Sequence, residues 1–202
     1  MKQLIIIGAS GHGKVVADIA KNNGYSDIAF LDDNDSVTEC NDYKVLGKVE
    51  EYKNYDCDFL VAIGNAHIRA KIIEKLISAN KSIPTLVHPN AIIGENVKIG
   101  VGTVIMAVAV INPATIIGDG CIINTCASVD HDNNIGDYVH ISVGAHTAGT
   151  VTIDNYSWIG IGAVISNNIS ICSNCMIGAG AVVVNNLMES GTYIGVPAKM
   201  CN

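Results

Sequence analysis

Residues 111–152 decide the fold, and they divide into sixes: INPATI, IGDGCI, INTCAS, VDHDNN, IGDYVH, ISVGAH and TAGTVT. Every block but the last opens on Ile or Val; the last opens on Thr147. Counting outward, positions 87, 93, 99 and so on to 183 are Ile or Val in 16 of 17 cases. Ile, Leu and Val together make up only 58 of the 202 residues, so the period is not a product of composition. Four residues after each large aliphatic stands a small or medium side chain, as at Ala91, Val97, Thr103, Ala109, Thr115, Cys121 and Ala127; Ile169 and Leu187 are the bulky exceptions. A six-residue period of this kind predicts a left-handed parallel β-helix. Three short strands make each triangular coil, the large aliphatic fills the interior and the small residue sits at the corner. Residues 87–188 supply 102 residues of such coils with no interrupting loop.

The composition agrees. The chain is 49% hydrophobic, 5% aromatic and 15% charged, with 20 glycines. Thin stacked layers of Ile, Val and Ala leave little room for rings, and this apolar content argues against disorder. A formal net charge of −7 makes nucleic acid or an anionic membrane a poor partner. Any phosphate must be held by local backbone groups. No apolar run approaches the roughly 18 residues of a membrane span. Met1-Lys2 followed by Leu4–Ala9 superficially resembles a signal peptide, but the apolar part is short and runs straight into Gly8–Lys14, so a buried strand is expected. Seven cysteines, an odd number without a small-domain framework, fit a reducing cytoplasm. Cys172 and Cys175 form a lone C-x-x-C that the hexad register explains: Cys175 takes a corner position and Cys172 follows an interior Ile.

Residues 1–86 follow another pattern. An apolar strand over Lys2–Ala9, a helix over Lys14–Asn22, a strand over Asp27–Leu31, a strand over Phe59–Ile63 and a helix to about Asn80 are expected. Strands alternating with helices predict a small Rossmann-like parallel α/β domain, the size of one mononucleotide-binding half. The division is therefore 1–86 for this domain and 87–202 for the β-helix with a C-terminal tail.

Gly8-Ala9-Ser10-Gly11-His12-Gly13 joins the first strand to the first helix. Glycines there let the backbone turn tightly and approach a phosphate, and the helix N-terminus adds unpaired N–H groups. Asp32 ends the second strand, where such folds place an acid near a ribose or base. The spacing is G-x-x-G-x-G, which a tight turn without a ligand also explains, and Asp33 also suits a solvated turn.

In the β-helix, His131, His140 and His146 cluster mid-chain. With 18 residues per coil, His131 lies over Gly149 on one side and Pro113 on the other, and the bare glycine leaves space for a ligand beside the imidazole. His140 stacks with Trp158, the only Trp, and then Met176, a column suited to packing against a neighbouring subunit. Asp132 adjoins His131, and a carboxylate that fixes the tautomer makes His a good general base. A zinc site needs three converging imidazoles. The His separations of 9, 15 and 6 put no two in one column, which argues against it. No Cys–His spacing suggests a nucleophilic pair.

Over nearly its full length the chain resembles the PglD-type sugar-nucleotide acetyltransferases of the wider sialic-acid O-acetyltransferase (NeuD) family. The resemblance rests on IIIGASGHGKVVADIA at 5–20, FLDD at 30–33, AIGN at 62–65, VINPA at 110–114 and IINT at 122–125. It continues in the HD pair at 131–132, HISVGAHTAG at 140–149 and YIGVPAKM at 193–200. It implies a homotrimer with acetyl-coenzyme A, the co-substrate, in the groove between adjacent β-helices, and no metal. The acceptor would be a nucleotide-linked amino sugar, with UDP, GDP and dTDP all open, in bacterial glycan biosynthesis. Ser10, Gly11 and His12 would face the diphosphate, Asp32 and Asp33 the uridine end, and Gly64 would line the same pocket. His131 matches the general base and Asp132 the acid that raises its basicity; the family pattern carries Glu there, one methylene longer. Asn124 matches a polar residue near the acceptor sugar. His140 matches a contact to the acetyl thioester, and Ile161 and Ala179 lie where the coenzyme sits. Two other readings stand beside N-acetylation: O-acetylation of a sialic acid, and a non-catalytic trimeric β-helix serving as scaffold or binding module.

Overall fold

The computed structural model describes residues 2–201, so Met1, ahead of the expected first strand, and Asn202, at the end of the expected tail, lie outside the described residues. The chain divides into two compact units, Met1–Val87 and His88–Asn202.

The first unit is a three-stranded parallel sheet in the order β2-β1-β5, with β1 at Gln3–Ile7, β2 at Asp27–Leu31 and β5 at Asp58–Val61; the short β3 at Glu39–Cys40 and β4 at Tyr43–Lys44 pair separately. Leu4 to Ile7 are fully buried, as a central parallel strand with both faces covered requires. Helix α1 spans Gly11–Asn22 and buries Val16, Ala17, Ile19 and Ala20. It begins three residues before the expected Lys14, because Gly11 and Gly13 adopt its first turn despite their low helix propensity. Helix α2 spans Ala66–Ser78, capped by Asn65, whose side chain accepts the Ile68 N–H at 3.0 Å.

The second unit is a parallel β-helix. Its first face stacks two-residue strands from Ile92–Ile93 to Val182–Val183, its second from Lys98–Ile99 to Ser170–Ile171, and its third from Val104–Ile105 to Met176–Ile177 and on to Thr192–Ile194. Each strand from Ile92–Ile93 to Val164–Ile165 pairs with the one 18 residues on, as Ile122 with His140 and His140 with Trp158, while Met176 pairs with Thr192, 16 residues on. The expected interior column is buried from Ile105 onward, with Ile105, Ile111, Ile123, Val129, Ile141, Ile153, Ile159 and Ile165 at 0% exposure; in the first coil Ile93 is 38% exposed, because no earlier coil covers it. Each fully buried member contributes about 1.5–3 kcal/mol by leaving water. Thr147, the exception in the sixes, fills its place at 3% exposure with a hydroxyl that finds no partner among the described residues.

The corners explain the tolerance of the register. The third residue after each interior aliphatic has positive φ at every corner from Asn96 to Gly180. Glycine holds five of these positions, and the rest range from Ala114 and Cys126 through Asn and Asp to Tyr138, including the β-branched Val108 at φ 59°. Backbone bonds between coils hold these conformations, such as Asp132 N–H to Pro113 O at 3.1 Å. The last face is closed by Lys199–Met200, which pairs antiparallel with Thr192–Ile194 and covers that edge.

Candidate active site

In the α/β unit a cavity of about 330 Å³ opens at the carboxyl ends of β1, β2 and β5, lined by Gly8, Ser10, Asp32, Asp33 and Gly64 among others. This is the crevice where open parallel sheets take ligands. Gly8 has φ +109°, and a Cβ there would lie 2.8 Å from the Ala62 carbonyl. A Cβ on Gly13 would lie 2.3 Å from the Gly8 carbonyl and 3.0 Å from the Phe30 ring. Both glycines are therefore required by packing. At Gly11 a Cβ would meet nothing within 4 Å, so no neighbour within the chain demands glycine there. Ser10 is the N-cap of α1, its hydroxyl makes no capping bond, and the first turn carries no acid. The N–H groups of that turn have no carbonyl of their own helix to bond, as at any helix start.

Not all the expected ligand residues gather in the cavity. Gly11 and His12 open α1 outside its lining. The His12 Nε2 is buried without a partner among the described residues. Burial first, and then the charge of Arg69, lower its pKa to about 4, so His12 is neutral near pH 7 and brings no positive charge to a diphosphate. Asp32 is partly committed within the chain: Oδ2 accepts the Ala9 N–H at 2.7 Å and Oδ1 the Asn34 N–H at 2.8 Å. It thereby braces the glycine loop it faces. Asp33 Oδ1 accepts the Val49 N–H at 3.0 Å. Arg69 donates to the Ile63 and Gly64 carbonyls at 2.8 Å each and so shapes the wall at Gly64.

In the β-helix, His131 and Asp132 occupy the edge between the first and second faces. The Asp132 carboxylate meets His131 Nδ1 at 2.8 Å, so the shorter acid still reaches the ring. The left-handed conformation of Asp132, φ 56°, belongs to the corner position from which it does so. Both side chains are more than half exposed, at 56% and 59%. The expected open space over Gly149 is filled by His131 itself. A Cβ at Gly149 would lie 2.5 Å from His131 Cε1 and 2.6 Å from Nε2. The glycine is the seat of the imidazole, not a vacancy beside it.

The bond to Asp132 raises the His131 pKa above 6.5, loss of water around the ring opposes it, and the charges of Asp130 and Asp132 add to the rise. Asp130 was not singled out from the sequence. Its carboxyl is held below the usual range chiefly by the Asn112 amide at 2.7 Å and then by the His131 N–H at 2.8 Å. Asn112 lies 18 residues before Asp130, so the coil period already carried that pairing. The same period pairs Ser128 with His146 at 2.8 Å, which places His146 on the first face, apart from the other two histidines.

Asn124, His140, Ile161 and Ala179 come together in a groove of about 390 Å³ on the third face and its edge toward the first. His140 is buried at 8% exposure, and its ring centroid lies 4.5 Å from that of Trp158. Trp158 Nε1 donates to Ser142 at 2.7 Å. Asn124 Oδ1 accepts the Thr125 N–H, which turns Nδ2 toward His140 Nε2 at 3.2 Å and makes that ring nitrogen the acceptor. Asn124 is thus placed with His140, and His131 stands on a different edge of the same prism. Among the described residues no group of three His, Cys, Asp or Glu could hold a metal ion, and no helix is long and apolar enough to cross a membrane.

Comparison with known proteins agrees with this anatomy. The family model of the PglD N-terminal domain matches residues 3–76. A UDP-N-acetylbacillosamine N-acetyltransferase of Bacillus subtilis (strain 168) is 38% identical over 115 residues; the match covers 53% of this chain and 52% of that protein, so the chain spans about half the length of this curated relative. The acetyltransferase domain of PglB from Neisseria gonorrhoeae FA1090 is 39% identical with a TM-score of 0.96, over 100% of both chains. That domain has also been solved in complex with acetyl coenzyme A. PerB of Caulobacter crescentus, solved with CoA and GDP-perosamine, is 32% identical with a TM-score of 0.94, over 100% of this chain and 98% of that one. Two further structures of that enzyme carry a substitution at one histidine. Matched along its whole length to these two solved proteins, and by the family model over its α/β unit, the chain belongs to the PglD-type sugar-nucleotide acetyltransferases with a hexapeptide-repeat β-helix.

Proposed function

We propose that this chain moves the acetyl group of acetyl-coenzyme A to the amino group of a nucleotide-linked 4-amino-4,6-dideoxy sugar, with UDP as the nucleotide, in the building of a bacterial glycan. The observation that carries the reading is the His131–Asp132 pair seated on Gly149, with Nδ1 engaged and Nε2 left for a substrate proton. Two of the relatives named above are named for, or solved with, a nucleotide-linked amino sugar.

The sugar nitrogen attacks the thioester carbonyl carbon. As the C–N bond forms, the amine proton passes to His131 Nε2, and the Asp132 carboxylate stabilises the resulting imidazolium. The C–S bond then breaks, the departing sulfur takes the proton held on His131 Nε2, and coenzyme A leaves as the thiol with the imidazole neutral again. Negative charge on the thioester oxygen needs a preorganised donor. At Val101, Asp119 and Asp137 the corresponding corner N–H groups donate to a carboxylate or amide 18 residues on. Ile161 has only Ala179 at that position, so its N–H is the donor we assign to the groove. Ser10, Gly11 and His12 face the diphosphate through the backbone N–H groups that open α1 and the neutral His12 ring, Asp32 and Asp33 meet the uridine end, and Gly64 lines the same pocket.

His131 and the groove of His140, Ile161 and Ala179 stand on different edges of one prism. A closed ring of copies brings an edge of one chain against an edge of the next. We therefore assign a homotrimer with sites between subunits. The odd count of seven cysteines, with no small-domain disulfide framework, supports a reducing cytoplasm.

The test is release of coenzyme A thiol with a panel of 4-amino and 3-amino sugars linked to UDP, GDP or dTDP, run beside free sialic acid. Turnover of a UDP-linked 4-amino sugar supports the reading. Turnover of sialic acid alone replaces it with O-acetylation, and turnover of nothing in the panel favours a binding module.

A further inference from the structure

We propose that Asn133 is a positioning residue for His131: its buried carboxamide fixes the two peptide groups that flank the His131 Cα. The evidence begins with a rule of this β-helix. The buried residue four places after the interior aliphatic, where it is polar, reaches one carbonyl 15 residues on. Thr103 bonds Gly118 O at 2.8 Å, Thr115 bonds Asp130 O at 2.7 Å and Ser157 bonds Cys172 O at 3.1 Å. Asn133 obeys the rule, bonding Ala148 O at 2.9 Å. Being longer, it also turns back on its own corner, where the same Nδ2 meets Asp130 O at 2.8 Å and His131 O at 3.2 Å.

Those two carbonyls belong to the peptides on either side of His131. Asp130 O is held twice, by Thr115 from the preceding coil and by Asn133 from its own corner. The bond to Ala148 O also ties this corner to the peptide that precedes Gly149, the seat of the ring. Asn133 is 1% exposed, so it touches no substrate and acts only through the corner. Its Oδ1 finds no partner among the described residues. A residue chosen only to fill the column would not bury that oxygen: the same position holds Thr115 one coil earlier and Val151 one coil later. The groups facing the imidazole are Asp132, the Asp130 carboxylate and the bare Gly149; Asp130 also takes the His131 N–H at 2.8 Å and the Thr150 N–H donates to the His131 carbonyl at 2.9 Å, while Asn133 is the side chain that reaches the carbonyls on both sides of the His131 Cα.

The test uses Asn133→Val and Asn133→Thr, both side chains the column already accommodates. The first readout is the titration of the His131 ring by NMR in the protein without substrates. As the corner loosens, the contact with Asp132 is made less often, and the His131 pKa falls toward the ordinary histidine value. The second readout rests on the acetyl-transfer reading above. With a nucleotide-linked amino sugar, kcat falls on the order of 10- to 100-fold, as a misplacement of about 1 Å implies, while the KM for acetyl-coenzyme A stays within about twofold. In a His131→Ala background, Asn133→Val lowers the residual rate no further. Unchanged His131 titration in either folded variant overturns the proposal, and so does a kcat loss that persists without His131. Should wild-type protein transfer no acetyl group, the functional reading fails while the titration still decides this one. Should the Val variant not fold, the Thr variant, which can still reach Ala148 O, gives both readouts.

Discussion

Gly149→Ala removes nothing from the reacting groups, yet it is expected to disable them. The added methyl would stand 2.5 Å from His131 Cε1 and 2.6 Å from Nε2. Carbon atoms in contact prefer about 3.5 Å, so the ring must retreat by roughly 1 Å. It can do so cheaply, because the obstacle is the end of a side chain that is more than half exposed. Stability should therefore change by less than about 1 kcal/mol, or no more than about 4 °C in Tm for a chain of this size. A 1 Å displacement of a reacting group can cost on the order of 100-fold in rate, which corresponds to about 2.7 kcal/mol of transition-state stabilisation. The assay is thiol release at saturating acetyl-coenzyme A, with thermal denaturation alongside. A variant that keeps kcat within threefold of wild type would show that the ring does not work from its seat on Gly149.

Other outcomes follow from the same geometry. Because Asp132 raises the His131 pKa, the base is neutral only above a value higher than 6.5, and kcat/KM should fall as pH drops through it; Asp132→Asn should move that inflection downward and lower the plateau, as a pH–rate profile will read. Gly13→Ala drives a Cβ against the Gly8 carbonyl at 2.3 Å, a backbone obstacle, and should destabilise the α/β unit by roughly 1–3 kcal/mol in thermal denaturation. Gly11→Ala meets nothing within 4 Å, so it should leave Tm unchanged while raising the KM for the nucleotide-linked sugar. Ala179→Phe should fill the groove beside Ile161 and raise the KM for acetyl-coenzyme A with little effect on the sugar.

The β-helix was legible because its core is one-dimensional. A single large aliphatic per six residues is enough to set the register, and the register dictates which residues stack 18 apart. It therefore placed His140 against Trp158 and His131 against Gly149 before any coordinates were considered. It could not say how a side chain leans. His131 folds down onto Gly149 instead of standing beside it, a choice set by the reach of Asp132. The same period would have paired Asn112 with Asp130 and Ser128 with His146, had polar residues been followed around the coil as closely as the aliphatic ones. Asn133 was illegible for another reason: its position reads as a small core site, and only the carbonyls around it show a donor at work. In the α/β unit the strands were marked by continuous apolar runs. The place of Asp32 at a strand end marks a ligand residue, and its bonds to Ala9 and Asn34 show that it also builds the loop.

The account stands most directly on His131. The deciding measurement compares His131→Ala with wild type in thiol release from acetyl-coenzyme A, using the nucleotide-linked amino sugar as acceptor, with coenzyme affinity measured by calorimetry on both. The account predicts a loss of roughly 100-fold or more in kcat and a nearly unchanged Kd for the coenzyme, since the groove lies on another edge. Near-normal turnover in His131→Ala would contradict it.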